Sequence, residues 1–380
     1  MKNHLIVISV CVFLSAVILQ LFYLLQNQTH TLPMYVYDSS NEKQLQTAPT
    51  TTPAPITTPP PSPTITLAQP KPAASVPINV HYFQTFNNCG PASLAMMLSH
   101  FEMYRTQQEL GNQLRPYQVA SGDNDDKSTT LQEIADKAEE FGLVAYHRPA
   151  GDIALLKQLL NNGFPVLTRT WLSATEDIGH YRVVKGYDDE QEVIVQDDSL
   201  QGKDLNFSYA DFNVMWEKFG YEYLVLAEPE DAPVVEAILG EMLDTSVAWQ
   251  QAYQDFEQRL ENNPDDIYTR FNLSVAAYYL GEHQESVQHF EMVESQLPFR
   301  TLWYQREPLL AYQQLGQYDE LLPRIEHILN NGNRAYSELY QIRGEVYLDQ
   351  GDVETARREF ELAVRYNENY QPAREALEQL

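Results

Sequence analysis

Two cysteines in 380 residues cannot staple a fold, and no Cys/His set has the spacing of a metal site. Basic residues are scarce as well. The chain carries 25 Lys+Arg against 53 Asp+Glu, a formal charge of -28, and such a molecule is repelled by nucleic acid and anionic lipid headgroups alike. Glycine-rich phosphate loops are missing, so neither cofactor nor metal is expected. The acidity sits in two blocks: residues 76–228 have a net charge of -12, and residues 229–380, which contain no lysine, have -17. What is abundant is apolar and aromatic side chain. A hydrophobic content of 43% with 24 Tyr and 15 Phe supports genuine cores and excludes wholesale disorder. At about 150 residues per domain the length accommodates two globular units.

The one long hydrophobic run is at the start. Leu5 to Leu25 contains no charge, and about 20 apolar residues span a bilayer as a helix. It exceeds the roughly 7–15 apolar residues of a cleaved signal and lacks a small-x-small site at its end. An N-terminal single transmembrane helix is therefore predicted within residues 1–28, acting as an uncleaved anchor. Lys2 and the amino terminus are the nearby positive charges, so the N-terminus is expected in the cytoplasm and the bulk of the chain outside. From Gln46 to Ser75 the composition turns to Pro, Thr and Ala with one charge, Lys71. Residues 29–75 read as a stalk, the Pro-rich part extended at ~3.1 Å per residue.

A repeat is visible near the C-terminus. Gly281, Gly316 and Gly351 recur 35 residues apart in Leu-Gly-Glu, Leu-Gly-Gln and Gln-Gly-Asp turns, and Phe290, Ile325 and Phe360 follow at constant distance. Gly344, Tyr347, Ala356 and Ala363 complete the clearest copy, Ser337 to Tyr370. This pattern resembles tetratricopeptide repeats, and the resemblance implies an all-α solenoid over residues 229–380 with residues 371–380 as its capping helix. Such an array presents a surface to a protein or peptide partner.

Residues 76–228 carry the chemistry. An alternating segment, Ile78 to Phe83, is predicted as a strand. It is followed by Gln84, then Asn88-Cys89-Gly90-Pro91-Ala92, then apolar positions at helical spacing through Phe101. Pro91 suits the first turn of a helix, which places Cys89 at the N-terminus, where the macrodipole and unpaired N–H groups favour a thiolate. A buried core cysteine is the plainer reading of that residue taken alone. The segments Gly179-His180-Tyr181 to Asp188 and Val193 to Asp198 read as two strands joined by an acidic turn. A His opening one strand and a carboxylate ending its neighbour can lie side by side, so Cys89, His180 and an Asp supply nucleophile, base and orienting acid. Gln84 has the reach to add an amide donor for an oxyanion. Alternation along the second strand groups Asp197 with Val193 and Val195. If that face packs toward the Cys89 helix, Asp197 is the acid and Asp198 caps a turn.

The Gln-x4-Cys-Gly-Pro-Ala block, the Gly-His-Tyr and Gly-Tyr-Asp-Asp strand and the terminal Asp resemble the papain-like cysteine peptidase domain of the bacteriocin-processing, double-glycine leader type. The resemblance implies an α+β fold for residues 76–228, a peptide or protein substrate, and roles for Cys89 as nucleophile, His180 as general base, Asp197 as orienter and Gln84 as oxyanion donor. An acyl or amide transferase with the same triad and an inactive binding scaffold are the rival readings. Arg182 and Lys185 place charge on the His strand, either narrowing the site or facing solvent. His81, His100 and His147 have no clustered partners, and Asp123 to Asp126 reads as a solvated loop ahead of a capping box at Thr130 and Glu133.

Overall fold

The structure is a computed structural model and describes residues 65–119, 123–127 and 129–380. The predicted transmembrane helix and most of the stalk lie outside them. Among the described residues no helix is long and apolar enough to cross a membrane.

Among the described residues seven strands form one antiparallel sheet: β1 (Ala73–Ser75), β2 (Val144–Arg148), β3 (Val166–Ser173), β4 (Glu176–Asp188), β5 (Val193–Asp198), β6 (Gly202–Ser208) and β7 (Tyr223–Ala227). Their order is β2-β7-β3-β4-β5-β6, with β1 paired to the end of β4. Alternation along the strands divides the core. Leu167, Val183, Leu224 and Leu226 face one side, where they meet α1 (Cys89–His100) and α3 (Leu131–Glu139). Val166, Val184, Tyr223 and Val225 face the other, against α4 (Ile153–Asn161) and α5 (Tyr209–Trp216). A side-chain period of two thus lets one set of strands serve two helical layers. The helix α1 is buried along Cys89 to Ser99, as its lack of charged residues requires. Beside it, α2 (Gln107–Leu114) and α3 each begin in a capping box, Thr106 with Glu109 and Thr130 with Glu133.

Three expectations are corrected. Residues 78–83 are not a strand: the segment crosses the C-terminal end of α1, where Ser99 takes its polar groups through Oγ to Val80 N (3.1 Å) and through its carbonyl to Asn79 Nδ2 (2.6 Å). Residues 68–75 are not free stalk, because Ala68 N bonds Asn162 Oδ1 at 2.9 Å and Ala73–Ser75 pair with Gly186 to Asp188. The acidic segment 123–127 is not a solvated loop. Asn124, Asp125 and Lys127 are buried: Asn124 bonds the Val119 backbone, Asp125 pairs with Arg115 and Lys127, and Lys127 reaches Glu338 of the helical half.

That half begins with α6 (Ala232–Leu239) and α7 (Thr245–Asn262). It continues with α8 (Ile267–Tyr279), α9 (His283–Glu291), α10 (Thr301–Tyr304), α11 (Glu307–Gln314), α12 (Tyr318–Asn330), α13 (Ser337–Asp349), α14 (Val353–Tyr366) and α15 (Gln371–Gln379). The pairs α8/α9, α11/α12 and α13/α14 are hairpins. Gly281, Gly316 and Gly351 sit at their turns with φ of 80, 67 and 82°, a conformation that carries no steric penalty for glycine. Phe290, Ile325 and Phe360, the residues that follow at constant distance, are fully buried.

The helical half packs directly on the sheet domain. Lys127, 1% exposed, reaches Glu338 on α13 at 3.0 Å and Glu133 at 3.1 Å, with Asp125 at 4.0 Å. Burial alone would strip the ammonium of its proton; the three carboxylates reverse that and hold it charged. Asn333 Oδ1 accepts from Asp126 N (3.1 Å), and Asn369 Nδ2 donates to the carbonyls of Asn112 and Gln113 (3.1 and 3.0 Å). Removing one partner of a buried ion pair is costly because the other charge stays buried. Glu338→Ala should lower unfolding stability by about 3 kcal/mol in denaturant titrations and should expose the junction to limited proteolysis, whereas the exposed Glu354→Ala should do neither.

Candidate active site

Three segments converge at one end of the sheet: the N-terminus of α1, the start of β4 and the end of β5. Cys89 is the first residue of α1, 5% exposed, and its thiol hydrogen-bonds the imidazole of His180. His180 is itself 2% exposed and bonds Asp198 Oδ1 through Nε2 at 2.9 Å. With Nε2 engaged, Nδ1 is the nitrogen left to the thiol. Burial would push the imidazole toward neutrality, but the hydrogen bonds and charges of Asp198 and Cys89 outweigh it and raise its pKa above the ordinary value.

The acid beside His180 is therefore Asp198, and the expectation of Asp197 is corrected. The register decides it. Arg182 lies opposite Asp198, and Val183 lies opposite Asp197. His180 is two residues from Arg182 and shares its face, so the imidazole and Asp198 are on the same side, while Asp197 shares the parity of Val183. Asp197 lies on the same face as Val183, which packs against α1. Asp197 Oδ1 instead receives Lys185 Nζ at 2.6 Å and Asp204 N at 2.8 Å.

Asp198 is saturated with donors. Oδ1 also accepts from Leu200 N (2.7 Å) and Gln201 N (2.8 Å), and Oδ2 accepts from Arg182 Nη1. Burial would raise its pKa. His180, Arg182 and the turn N–H groups prevail and hold it down at about 2. Arg182 is fully buried and fixed by Thr170 Oγ1 (3.0 Å) and the Leu172 carbonyl (2.6 Å). The two basic residues on the His strand thus neither narrow the site nor face solvent. Each neutralises one member of the Asp197-Asp198 pair, a two-against-two charge match on neighbouring strands that the sequence already contained.

Gln84 stands beside the same turn. Its Oε1 accepts from Ser199 Oγ at 2.7 Å, and its backbone N donates to the Ser199 carbonyl at 2.7 Å. With the amide oxygen occupied, Nε2 is the end presented as donor, and no acceptor is assigned to it among the described residues. His81, set aside as a lone histidine, bonds the Asp198 carbonyl through Nε2 at 3.0 Å and braces the turn from outside.

The helical half also reaches this end of the sheet. Arg300 Nη1 pairs with Asp177 Oδ1 at 2.6 Å, and the Tyr304 ring lies over Gly179, the residue before His180, with its hydroxyl hydrogen-bonded to the Gly179 backbone. Burial pushes the Tyr304 phenol up to about 12, and the neighbouring Cys89 adds to that rise. Arg169, 4% exposed, stacks on Phe219 (4.7 Å) and Tyr304 (5.6 Å) behind it. No periodicity or motif marked Tyr304 or Arg169, since both act across the junction.

Residues 77–224 match the Peptidase_C39 like family. The matched span is the C39-like sheet domain and stops before α6. Among solved structures, a putative C39-like peptidase from Bacillus anthracis is 18% identical, over 41% of this chain and 98% of its own, with a TM-score of 0.32. The peptidase domain of Streptococcus ComA is 22% identical, over 41% and 98%, with a TM-score of 0.31. A tetratricopeptide repeat protein from Parabacteroides merdae is 23% identical, over 40% and 57%, with a TM-score of 0.30. No curated protein matches the chain.

The geometry of the C39-like domain separates the two aspartates experimentally. Asp198→Asn should reduce turnover by several orders of magnitude, because the amide neither stabilises an imidazolium nor fixes its tautomer. Asp197→Asn should cost activity little. Stability should follow pH with matching signs. Asp198 has a folded value of about 2 against 3.8 unperturbed, so its contribution is complete above pH 4 and disappears as pH falls toward 2. His180 has a raised value, so its contribution is complete below its unfolded pKa near 6.5 and fades as pH rises through the folded one. Denaturation midpoints of Asp198→Asn should fall less steeply with acid than those of the wild type, the other carboxylates with lowered values supplying the remaining slope.

Proposed function

We propose that this chain is a cysteine peptidase whose triad is Cys89, His180 and Asp198, with Gln84 as oxyanion donor. The observation that carries the reading is the continuous chain of hydrogen bonds from Cys89 to His180 to Asp198 at a helix N-terminus. His180 takes the thiol proton, and the thiolate adds to the scissile carbonyl. The developing oxyanion is met by Gln84 Nε2 and the Cys89 backbone N–H. The imidazolium, held by Asp198, gives its proton to the leaving amine as the carbon–nitrogen bond breaks, leaving a thioester on Cys89. Water, deprotonated by His180, then attacks the thioester and releases the acid product and the thiol. Substrates in this reading are peptides or proteins.

The helical half, read as a tetratricopeptide-like array, is proposed to recruit protein, and Leu5 to Leu25 to anchor the chain with residues 76–380 outside the membrane. The absence of any charge in that run supports the second point.

Two measurements test this. Iodoacetamide should alkylate Cys89 rapidly near neutral pH, and His180→Ala should slow the reaction. If both proteins respond to pH as an ordinary thiol does, with half-maximal rate near about 8.5, the nucleophile assignment fails. Protease added to intact cells should release a fragment that begins within the Pro/Thr segment, between Gln46 and Leu67. Recovery of residues from about Thr29 onward in the medium without protease would show that the apolar run is a cleaved signal.

A further inference from the structure

A cavity of about 330 Å³ opens beside Asn88, the residue before Cys89. It lies between the Thr85 to Asn88 segment, α2, and the chain leaving α2 through Arg115 and Gln118. Its polar atoms are unusual in being both buried and open. Arg115, 1% exposed, donates Nη1 to the Asn87 carbonyl and has Nε 3.8 Å from Asp125 Oδ2, but Nη2 has no partner among the described residues. Asn88, 6% exposed, gives its Nδ2 to Thr85 Oγ1 at 2.7 Å, and its Oδ1 has no partner among the described residues. Both amide atoms of Gln118 are likewise buried without a hydrogen bond to any described residue. Buried donors and acceptors left open are costly, so a group of them around one cavity points to an occupant that supplies the missing halves.

We infer that this cavity is a side-chain subsite of the proposed peptidase and takes a carboxamide, the side chain of Gln or Asn in the substrate. The open groups are mixed: N–H donors on Arg115 and Gln118, carbonyl acceptors on Asn88 and Gln118. A carboxamide has one acceptor end and one donor end and satisfies both kinds. A carboxylate would set like partial charges against Asn88 Oδ1, and Asp125 already answers the charge of Arg115. An aliphatic side chain would leave all of these groups unpaired. The exposed ring of Phe86 at the rim suits the methylene part of the side chain. Thr85, Phe86 and Asn88 of its wall lie between Gln84 and Cys89 in the chain, and the proposal assigns the residue held there to the acyl side of the scissile bond. Gly111 keeps the floor open, since a Cβ at that position would come within 2.9 Å of Asn88 Oδ1.

The inference rests on the nucleophile assignment above, and one set of probes separates the two. N-acetyl-dipeptidyl acyloxymethyl ketones would be made with Gln, Glu, Leu or Gly at either residue before the warhead, and their second-order rates of Cys89 inactivation compared. Gln at one of the two positions should exceed both Leu and Glu by about tenfold or more, the scale on which a site built to hydrogen-bond rejects an analogue that cannot. Gln118→Leu should reduce that ratio to about threefold or less while leaving iodoacetamide alkylation of Cys89 unchanged. Gly111→Ala, an exchange a helix favours, should do the same by narrowing the cavity; should it not fold, Gln118→Leu decides alone. Equal rates for Gln and Leu at both positions, a Gln preference that survives Gln118→Leu, or a preference for Glu each overturns the subsite. Alkylation of the wild type at the rate of an ordinary thiol overturns the nucleophile assignment, and the subsite with it.

Discussion

Asp198 is the constraint on which the site depends. A carboxylate with no exposure to water must have its charge answered in place, and here it is answered by an imidazole, a guanidinium and two backbone N–H groups at once. Each answer fixes a different part of the molecule. The imidazole bond sets the orientation of the base. The N–H bonds close the turn at Leu200 and Gln201, which presents Ser199 to Gln84 and so directs the Gln84 amide. The carbonyl of the same residue holds His81. His180 and Gln84 come from segments nearly a hundred residues apart, yet both are aligned by Asp198 and its successor Ser199. His180 contributes most to holding the Asp198 carboxylate charged against burial, and the Arg182 guanidinium and the turn N–H groups add to it.

The second constraint is the junction between the sheet and the helices. An independent accessory domain would be joined to the sheet domain by a linker; the helical half instead shares buried charge with it. Lys127 belongs to the loop that leads into α3, and its carboxylate partners come from both halves. On the opposite flank, the Arg300–Tyr304 segment braces Asp177 to Gly179 immediately before the base. The helical half therefore touches both walls that frame Cys89. Any rearrangement of the hairpins is mechanically connected to the position of His180, and the two halves are better regarded as one folding unit than as enzyme and accessory.

The sequence made much of this legible, and each failure has a physical cause. Helix α1 and its cysteine, the hairpin β4/β5, the capping box at Thr130 and the glycine-turned repeats all follow from local period, turn chemistry and spacing, which neighbours in sequence settle among themselves. The choice between Asp197 and Asp198 did not, although alternation was applied correctly to β5. What was missing was the register between strands, which decides whose face is shared, and a shift of one residue inverts the answer. Pairing the charges would have helped: Arg182 and Lys185 are three apart on β4, and each needs a carboxylate of its own parity on β5. The burial of Asn124 to Lys127 was invisible for a different reason. A run of acidic and polar residues reads as solvent-facing unless its partners are known, and one of them, Glu338, lies two hundred residues away on α13.

The distribution of charge across the helical half gives its surface a definite character. Lysine is absent there, and many of the arginines are engaged internally or at the junction. Arg300 goes to Asp177, Arg306 to Glu338, Arg324 to Glu294 and Glu320, Arg343 to Glu359, and Arg259 to the Tyr221 hydroxyl. The guanidinium suits that use, because it stays charged when buried and its planar fork engages two oxygens at once. Each carboxylate pairing also removes one negative charge from the surface, yet acidic residues outnumber basic ones so heavily that most of the excess remains outside: Glu354, for instance, is 87% exposed. A surface of that sign slows the approach of acidic proteins and speeds that of basic ones, with a strength that falls as salt rises. In the proposed reading, long-range selection by the field of the helices would precede any selection made by contact beside Cys89.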